Sequence, residues 1–457
     1  MKLERNLSSL DYENKSTNFL IKQKQFEYQY APLYAERLVS MKKELSKACA
    51  HKWPQYEVKS LVDLIKHDKC VIMGTIYKEM KNKPNILKEL AEDDESSALP
   101  IQPINRDAKY IDLENDQLIL EDDLQRILLI DATNSNLIKS NTLCTGLVIA
   151  LLGTENENSE FEIEDYVFKE TPIYDSLITP KETPSKSDKH IVFLSGLELG
   201  DGSKTNEYLF KLQLLIDYLR GDFISEASDD LSMMLSNTIR LIIAGNSLSS
   251  STQSKDMINK AKYLTKNYVA GSVGAIRQLD DFLLQLINKL EVDIMPGEYD
   301  PSNLMLPQQP LHHAMLTKSI SSDFKYNLHT TTNPYKFNLN GLSFMGTSGQ
   351  FIDDIRKSTN VDDPIEIMKL TLQAGHIGPT CPDTLACYPF YGKDPFILDE
   401  LPNIYFCGNQ NEFKHEVYTP EYAQHKQIHL ISLPKFSTSY SCIFLNLSTL
   451  KSEQINF

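Results

Sequence analysis

The chain has 457 residues, a formal net charge of −16 and 41 % hydrophobic residues. That length accommodates two or three domains with cores of ordinary size. The acidic balance argues against stand-alone nucleic-acid binding, because Lys and Arg neutralising phosphates supply most of that affinity.

The seven cysteines are scattered and form no CxxC pair, which argues against a disulfide framework and a zinc ribbon. Reduced thiols of the cytosol or nucleus are the expected state. The N-terminus, MKLERNLSSLDYENK, lacks the apolar core of a signal peptide. The longest apolar run, Leu147 to Gly153, is too short for a bilayer. An intracellular, soluble protein without membrane contact is expected.

Residues 1–25 read as a flexible N-terminal arm. A helical segment is expected at 26–54, with the helix over roughly Phe26–Ala50. Tyr30, Leu33, Tyr34, Leu38, Met41 and Leu45 fall there at spacings of three and four, on one face. From 55 to 180 the pattern changes to short strands: Cys70–Tyr77, Gln117–Asp122, Gln125–Asp131, Gly146–Glu155 and a late pair within Phe161–Phe168. Such a series suggests a small barrel, with an OB-fold fitting the size. The acidic stretch Glu92–Ser97 reads as a solvated loop, and 181–190 as a linker.

Residues 191–457 alternate strand and helix: Ile191–Leu194, helix Asn206–Leu219, Ile239–Ala244, helix Val273–Leu290, then Val292–Met295. This is the rhythm of an α/β layered domain. Asn340-Gly341 inside Phe337–Gly346 predicts a hairpin with a type I′ turn. A helix follows at Asp363–Gly375. The strands Asn403–Asn409, Ile428–Pro434 and Ser441–Leu447 complete the sheet.

The strand ends read SGLEL (Ser195–Leu199), AGNSL (Ala244–Leu248), PGEYD (Pro296–Asp300), GHIGP (Gly375–Pro379) and CGNQN (Cys407–Asn411). Singly, a Gly at a strand end is a tight turn. Together, their order and spacing resemble the five metal loops of the calcineurin-like phosphoesterases. Active members of that family carry Asp-x-His, Gly-Asp, Gly-Asn-His, a lone His and Gly-His-x-His. These imidazoles and carboxylates hold two metals that activate water. In this chain Gly196 stands where the first Asp should be, and Glu198 where its His should be. Asn246 replaces the bridging Asp. Glu298 and Tyr299 replace the Asn-His pair, and Asn409 and Asn411 replace both last histidines. Only His376 stands where a family histidine would. The resemblance implies the phosphoesterase α/β sandwich with neither catalytic residues, metal site nor cofactor.

An OB-like barrel ahead of such a domain resembles the B-subunits of the replicative DNA polymerases. Within that group several strings resemble the small-subunit family of DNA polymerase delta. They are VDIMPGEYDPSNLMLPQQPLH (Val292–His312), SFMGTSGQFIDDI (Ser343–Ile355), PTCPDTLACYPFYGKDPFIL (Pro379–Leu398) and IYFCGNQ (Ile404–Gln410). Arg37-Leu38, Met41 and Trp53 fit the same family. The resemblance implies a multi-domain α+β scaffold without enzymatic activity in the nucleus. It would bridge the C-terminal metal-binding domain of the catalytic subunit to a third accessory subunit in replication and repair. It implies association with the polymerase zeta catalytic subunit in translesion synthesis too. DNA would be reached only through the complex.

Two other readings compete. One is an active phosphoesterase with an atypical metal site that depends on Glu298 or His376; Glu198, Glu298 and Asp300 also offer oxygen ligands for one Mg²⁺. The other is single-stranded DNA binding by the barrel. That function wants a basic groove lined with aromatics, of which these strands offer little.

Overall fold

The computed structural model describes residues 11–22, 25–83, 108–133, 135–175, 187–202, 206–222, 229–253 and 271–457. The acidic stretch 92–97 and most of the expected linker, 181–186, lie outside them. The described residues fall into two compact units. One is built from Lys24–Pro172 and Phe351–Leu401, the other from Met1–Gln23, Ile173–Gln350 and Pro402–Phe457.

The first element, β1 (Tyr12–Asn14), belongs to the second unit. Helix α1 (Ala31–Lys52) opens the first. It starts five residues later than the periodicity suggests, with a proline in its first turn, where the missing N–H removes no intrahelical bond. Leu38, Met41, Leu45 and Cys49 on its apolar stripe, with Trp53 just beyond, pack against Val71, Val148, Ala150 and Leu152. The helix therefore buries its stripe on its own barrel.

That barrel consists of β2 (Val58–Lys59), β3 (Lys69–Glu79), β4 (Gln117–Glu121), β5 (Arg126–Asp131), β6 (Val148–Glu155) and β7 (Glu160–Val167). The order is β2-β3-β4-β5-β7-β6, and an added β3–β6 pairing closes five strands into a ring. The expected late pair is a single strand, β7. At Gly153 a Cβ would lie 2.0 Å from the Glu162 carbonyl oxygen. Only glycine fits there, beside the register shift in the β6–β7 ladder.

The second unit runs β8 (His190–Leu194), α2 (Asn206–Arg220), α3 (Asp229–Ser236), β9 (Thr238–Ala244), α4 (Gly271–Ile287), β10 (Glu291–Met295), α5 (Thr317–Ser321) and β11 (Leu328–Thr330). The hairpin β12 (Tyr335–Leu339) and β13 (Leu342–Thr347) follows, turning on Asn340 and Gly341 at φ 50° and 76°. Helices α6 (Gln350–Ser358) and α7 (Pro364–Ala374) then carry the chain into the barrel unit. Asp363 caps α7 by accepting from Ile365 N at 3.0 Å, and Gly375 ends it at φ 65°. Back in the second unit come β14 (Ile404–Gln410), β15 (Lys414–Tyr418), β16 (Ile428–Pro434), α8 (Phe436–Ser439), β17 (Ser441–Asn446) and β18 (Ser452–Asn456).

These strands form two six-stranded sheets, β1-β12-β13-β14-β16-β15 and β11-β10-β9-β8-β17-β18. Alternate residues of β8 and β9 serve two cores. Ile191, Phe193 and Ile242 meet Phe337, Phe344, Phe406 and Ile431 of the other sheet. Val192, Leu194, Leu241 and Ile243 meet Leu215, Leu219, Leu279 and Leu283 from α2 and α4. Burial on both faces explains why these strands read as continuous apolar runs.

Two boundaries differ from the expectation. Residues 351–401 share a compact unit with the barrel, whereas the expected domain runs over 191–457; their side chains and carbonyls bond to α1 and the barrel. Residues 11–22 are not a flexible arm. They form β1 and a turn of 3₁₀ helix with Ser16 and Phe19 buried.

Candidate functional site: the strand-end loops

Four of the five expected loops meet where the parallel strands β8, β9, β10 and β14 end. Gly196 N donates to Gly245 O at 3.0 Å and Glu198 N to Asn246 O at 3.0 Å. Asn409 N donates to Ser195 Oγ at 3.0 Å. The backbone turns sharply here. Gly196, Glu198, Gly245, Asn246 and Asn409 all take positive φ, between 51° and 81°. For Glu198 that conformation is strained, and such strain gathers at sites where function once or still demands it.

The side chains at these positions bond to the protein itself. Asn409 Nδ2 donates to Ala244 O at 3.2 Å and to Ser348 O at 2.7 Å. Asn246 Oδ1 accepts from Tyr299 N at 3.3 Å. A Cβ on Gly196 would stand 2.8 Å from Asn409 Oδ1 and 2.8 Å from Lys435 Cβ. The space an aspartate would need is therefore taken. Lys435 Nζ lies 3.9 Å from Glu198 Oε1. Glu298 and Asn411 are exposed, and Tyr299 is half-buried. Among the described residues no three His, Cys, Asp or Glu side chains gather to hold a metal ion.

The centre of the site is Asp300, which is 2 % exposed. Its Oδ1 accepts from Leu248 N at 2.8 Å; its Oδ2 accepts from Ser247 N at 3.2 Å and Gly297 N at 2.8 Å. Burial pushes its carboxyl up to about 6 against the pull of these N–H groups. The carboxylate ties the β9 loop to the β10 loop. A buried amide network supports it: Gln308 Nε2 donates to Gly297 O at 2.8 Å, and Asn333 Nδ2 to Gln308 Oε1 at 2.9 Å and Ser348 Oγ at 2.7 Å. Asn333 and Lys435 carry no local signature by which sequence could single them out, and Gln308 and Ser348 are marked only by lying within the family-like strings Val292–His312 and Ser343–Ile355.

The fifth loop, with His376, belongs to the barrel unit. His376 is 1 % exposed. Its Nδ1 accepts from Gly378 N at 3.2 Å, so the proton sits on Nε2, which donates to Asp394 Oδ2 at 2.9 Å. Neither ring nitrogen is left for a metal. Burial lowers the His376 pKa to about 4, and Arg37 adds to that despite Asp394.

This sets a pH dependence. The folded pKa lies below the unfolded value of about 6.5. Between the two the unfolded chain holds the extra proton, so the stabilisation is complete above pH 6.5 and fades as pH falls towards 4. On acidification from pH 7 to pH 5 the native chain should lose up to about 2 kcal/mol more than His376→Gln. Urea titrations at both pH values measure it, and equal losses in the two proteins would refute the assignment.

Comparison with known proteins adds two domain matches. Residues 191–415 match the family model of the B-type subunits of DNA polymerases alpha and epsilon, and residues 29–166 that of the DNA polymerase delta subunit OB-fold domain. The chain is 35 % identical to DNA polymerase delta subunit 2 of Drosophila melanogaster, covering 98 % of this chain and 97 % of the fly protein. It is 36 % identical to the DNA polymerase delta small subunit of Oryza sativa subsp. japonica, over 98 % and 97 %. It is 32 % identical to that of Saccharomyces cerevisiae, over 97 % and 92 %.

Proposed function

This chain belongs to the family of DNA polymerase delta small subunits, and from that premise we propose that it is a nuclear, non-catalytic scaffold of a polymerase delta complex. In this reading it bridges the C-terminal metal-binding domain of the catalytic subunit to a third accessory subunit in replication and repair. The same surfaces serve a polymerase zeta catalytic subunit in translesion synthesis. The two-sheet unit is a calcineurin-like phosphoesterase that has lost its chemistry.

One observation carries the proposal. The loops that would present metal ligands are bonded to themselves, with Asp300 on three backbone N–H groups and Asn409 on two carbonyls. A water-activating metal pair needs several free imidazole and carboxylate donors aimed at one point. The net charge of −16 suits contact with basic partner surfaces rather than with phosphates. Stable subunit contacts of this kind bury about 2,000 Å² or more.

The test is co-elution with the C-terminal domain of the polymerase delta catalytic subunit, with light scattering for stoichiometry. A stable one-to-one complex is expected. Two folded components that elute separately at micromolar concentration would sink the scaffold reading.

A further inference from the structure

We propose that residues 11–22 are a separable strap seated in a sequence-selective groove along β12. The fitting occupant of this groove is an extended segment with a tyrosine, a small hydroxyl residue four positions later, and an apolar residue three beyond that.

The tyrosine position is the most demanding. β1 pairs antiparallel with β12, Tyr12 opposite Leu339 and Asn14 opposite Phe337. The Tyr335 hydroxyl donates to Asp293 Oδ2 at 2.9 Å. Its proton is therefore committed, and Tyr12 must donate across the 2.7 Å to Tyr335. Asp293 is in turn paired with Arg240, whose guanidinium lies 4.1 Å from the centre of the Tyr12 ring. Tyr12 thus closes a relay that ends in a buried ion pair, and covers the cation with its ring face.

Ser16 supplies the second anchor. Its Oγ donates to Lys336 O and accepts from Lys336 N, each at 2.9 Å. One hydroxyl stands in for a further ladder residue. Phe19 is buried to 4 % exposure. Past it the Gln309 amide reads backbone alone: Nε2 donates to Phe19 O at 2.9 Å, and Ile21 N donates to Oε1 at 3.0 Å.

Separability rests on the small size of the paired strand. β1 is three residues long, with two of them exposed. Beneath it Tyr335, Phe337 and Leu339 belong to the inter-sheet core, against which Tyr12 packs only partly buried. Short terminal strands of this kind open locally, well below the cost of global unfolding. When open, the β12 edge is a template for an incoming strand.

The experiment uses the chain lacking residues 1–22 and a fluorescein-labelled peptide of Asp11–Lys22. One-to-one binding is expected, weakened about tenfold or more in a peptide carrying Tyr12→Ala and Ser16→Ala. A truncated chain with native circular dichroism that ignores the peptide, or binds both peptides equally, overturns the proposal. Should the truncated chain not fold, hydrogen exchange on the full chain decides. The amides of Lys15 and Ile21 should exchange about tenfold or more faster than those of β9. Rates equal to β9 would mean that the strap is inseparable from the core.

Discussion

Arg37→Ala should destabilise the barrel unit by about 3–5 kcal/mol, the cost of leaving a buried charge without its partner. Arg37 is fully buried and divides its guanidinium among three separate stretches of chain. Nε donates to Asp394 Oδ2 at 2.7 Å, NH1 to Gly146 O at 3.2 Å and Pro379 O at 2.8 Å, and NH2 to Cys381 O at 2.8 Å. Alanine would strip three carbonyls of this donor and leave the Asp394 carboxylate, among the described residues, with only His376 and Phe396 N. Burial opposes the Asp394 charge, but Arg37 and His376 outweigh it and hold the carboxyl well below its usual range. Losing the arginine reverses that balance.

Lysine should rescue little, since a point charge cannot span a fork of four bonds. Urea unfolding of Arg37→Ala, Asp394→Ala and the double variant gives the coupling. The double variant should be more stable than the sum of the singles implies, by about 0.5–3 kcal/mol. A loss below about 1 kcal/mol for Arg37→Ala would show that water replaces the guanidinium and that the network is incidental.

Asp300→Ala carries the second large effect, and it separates a structural carboxylate from a catalytic one. Each buried N–H left without a partner costs about 1–3 kcal/mol, and Asp300 serves Ser247, Leu248 and Gly297. A fall of several kcal/mol is expected. Asparagine should fail as well. Both Asp300 oxygens accept, so an amide NH₂ on either side would face a backbone donor. Were Asp300 instead a metal ligand strained for chemistry, its removal would leave stability unchanged or raise it, as when active-site strain is relieved. Thermal unfolding of the two variants distinguishes these outcomes.

Much of the chain was legible from local pattern. The apolar stripe marked α1. Asp363 and Gly375 bracketed α7, and Asn340-Gly341 set the hairpin. Buried runs in 191–194, 239–244 and 292–295 became neighbouring parallel strands. Such features are decided within a few residues by dihedral preference, capping and side-chain period, so the linear text contains them. The sequence also marked four loops that end parallel strands; the fifth, Gly375–Pro379, was expected at a strand end but follows α7 instead. The strings that resembled the polymerase delta small-subunit family led to the family that the chain's relatives identify.

Only the tertiary structure decided what those loops bond to. Arg37 and Asp394 are 357 positions apart, and His376 turns to Asp394 within the barrel unit. The same holds for the assignment of 351–401 to the barrel. It holds too for Tyr12, which the polar N-terminal text disguises as part of a free arm. Long-range partners are selected by which buried charges and backbone groups remain unsatisfied once the elements pack. That accounting exists only in three dimensions, because no local pattern records where a donor's acceptor will be.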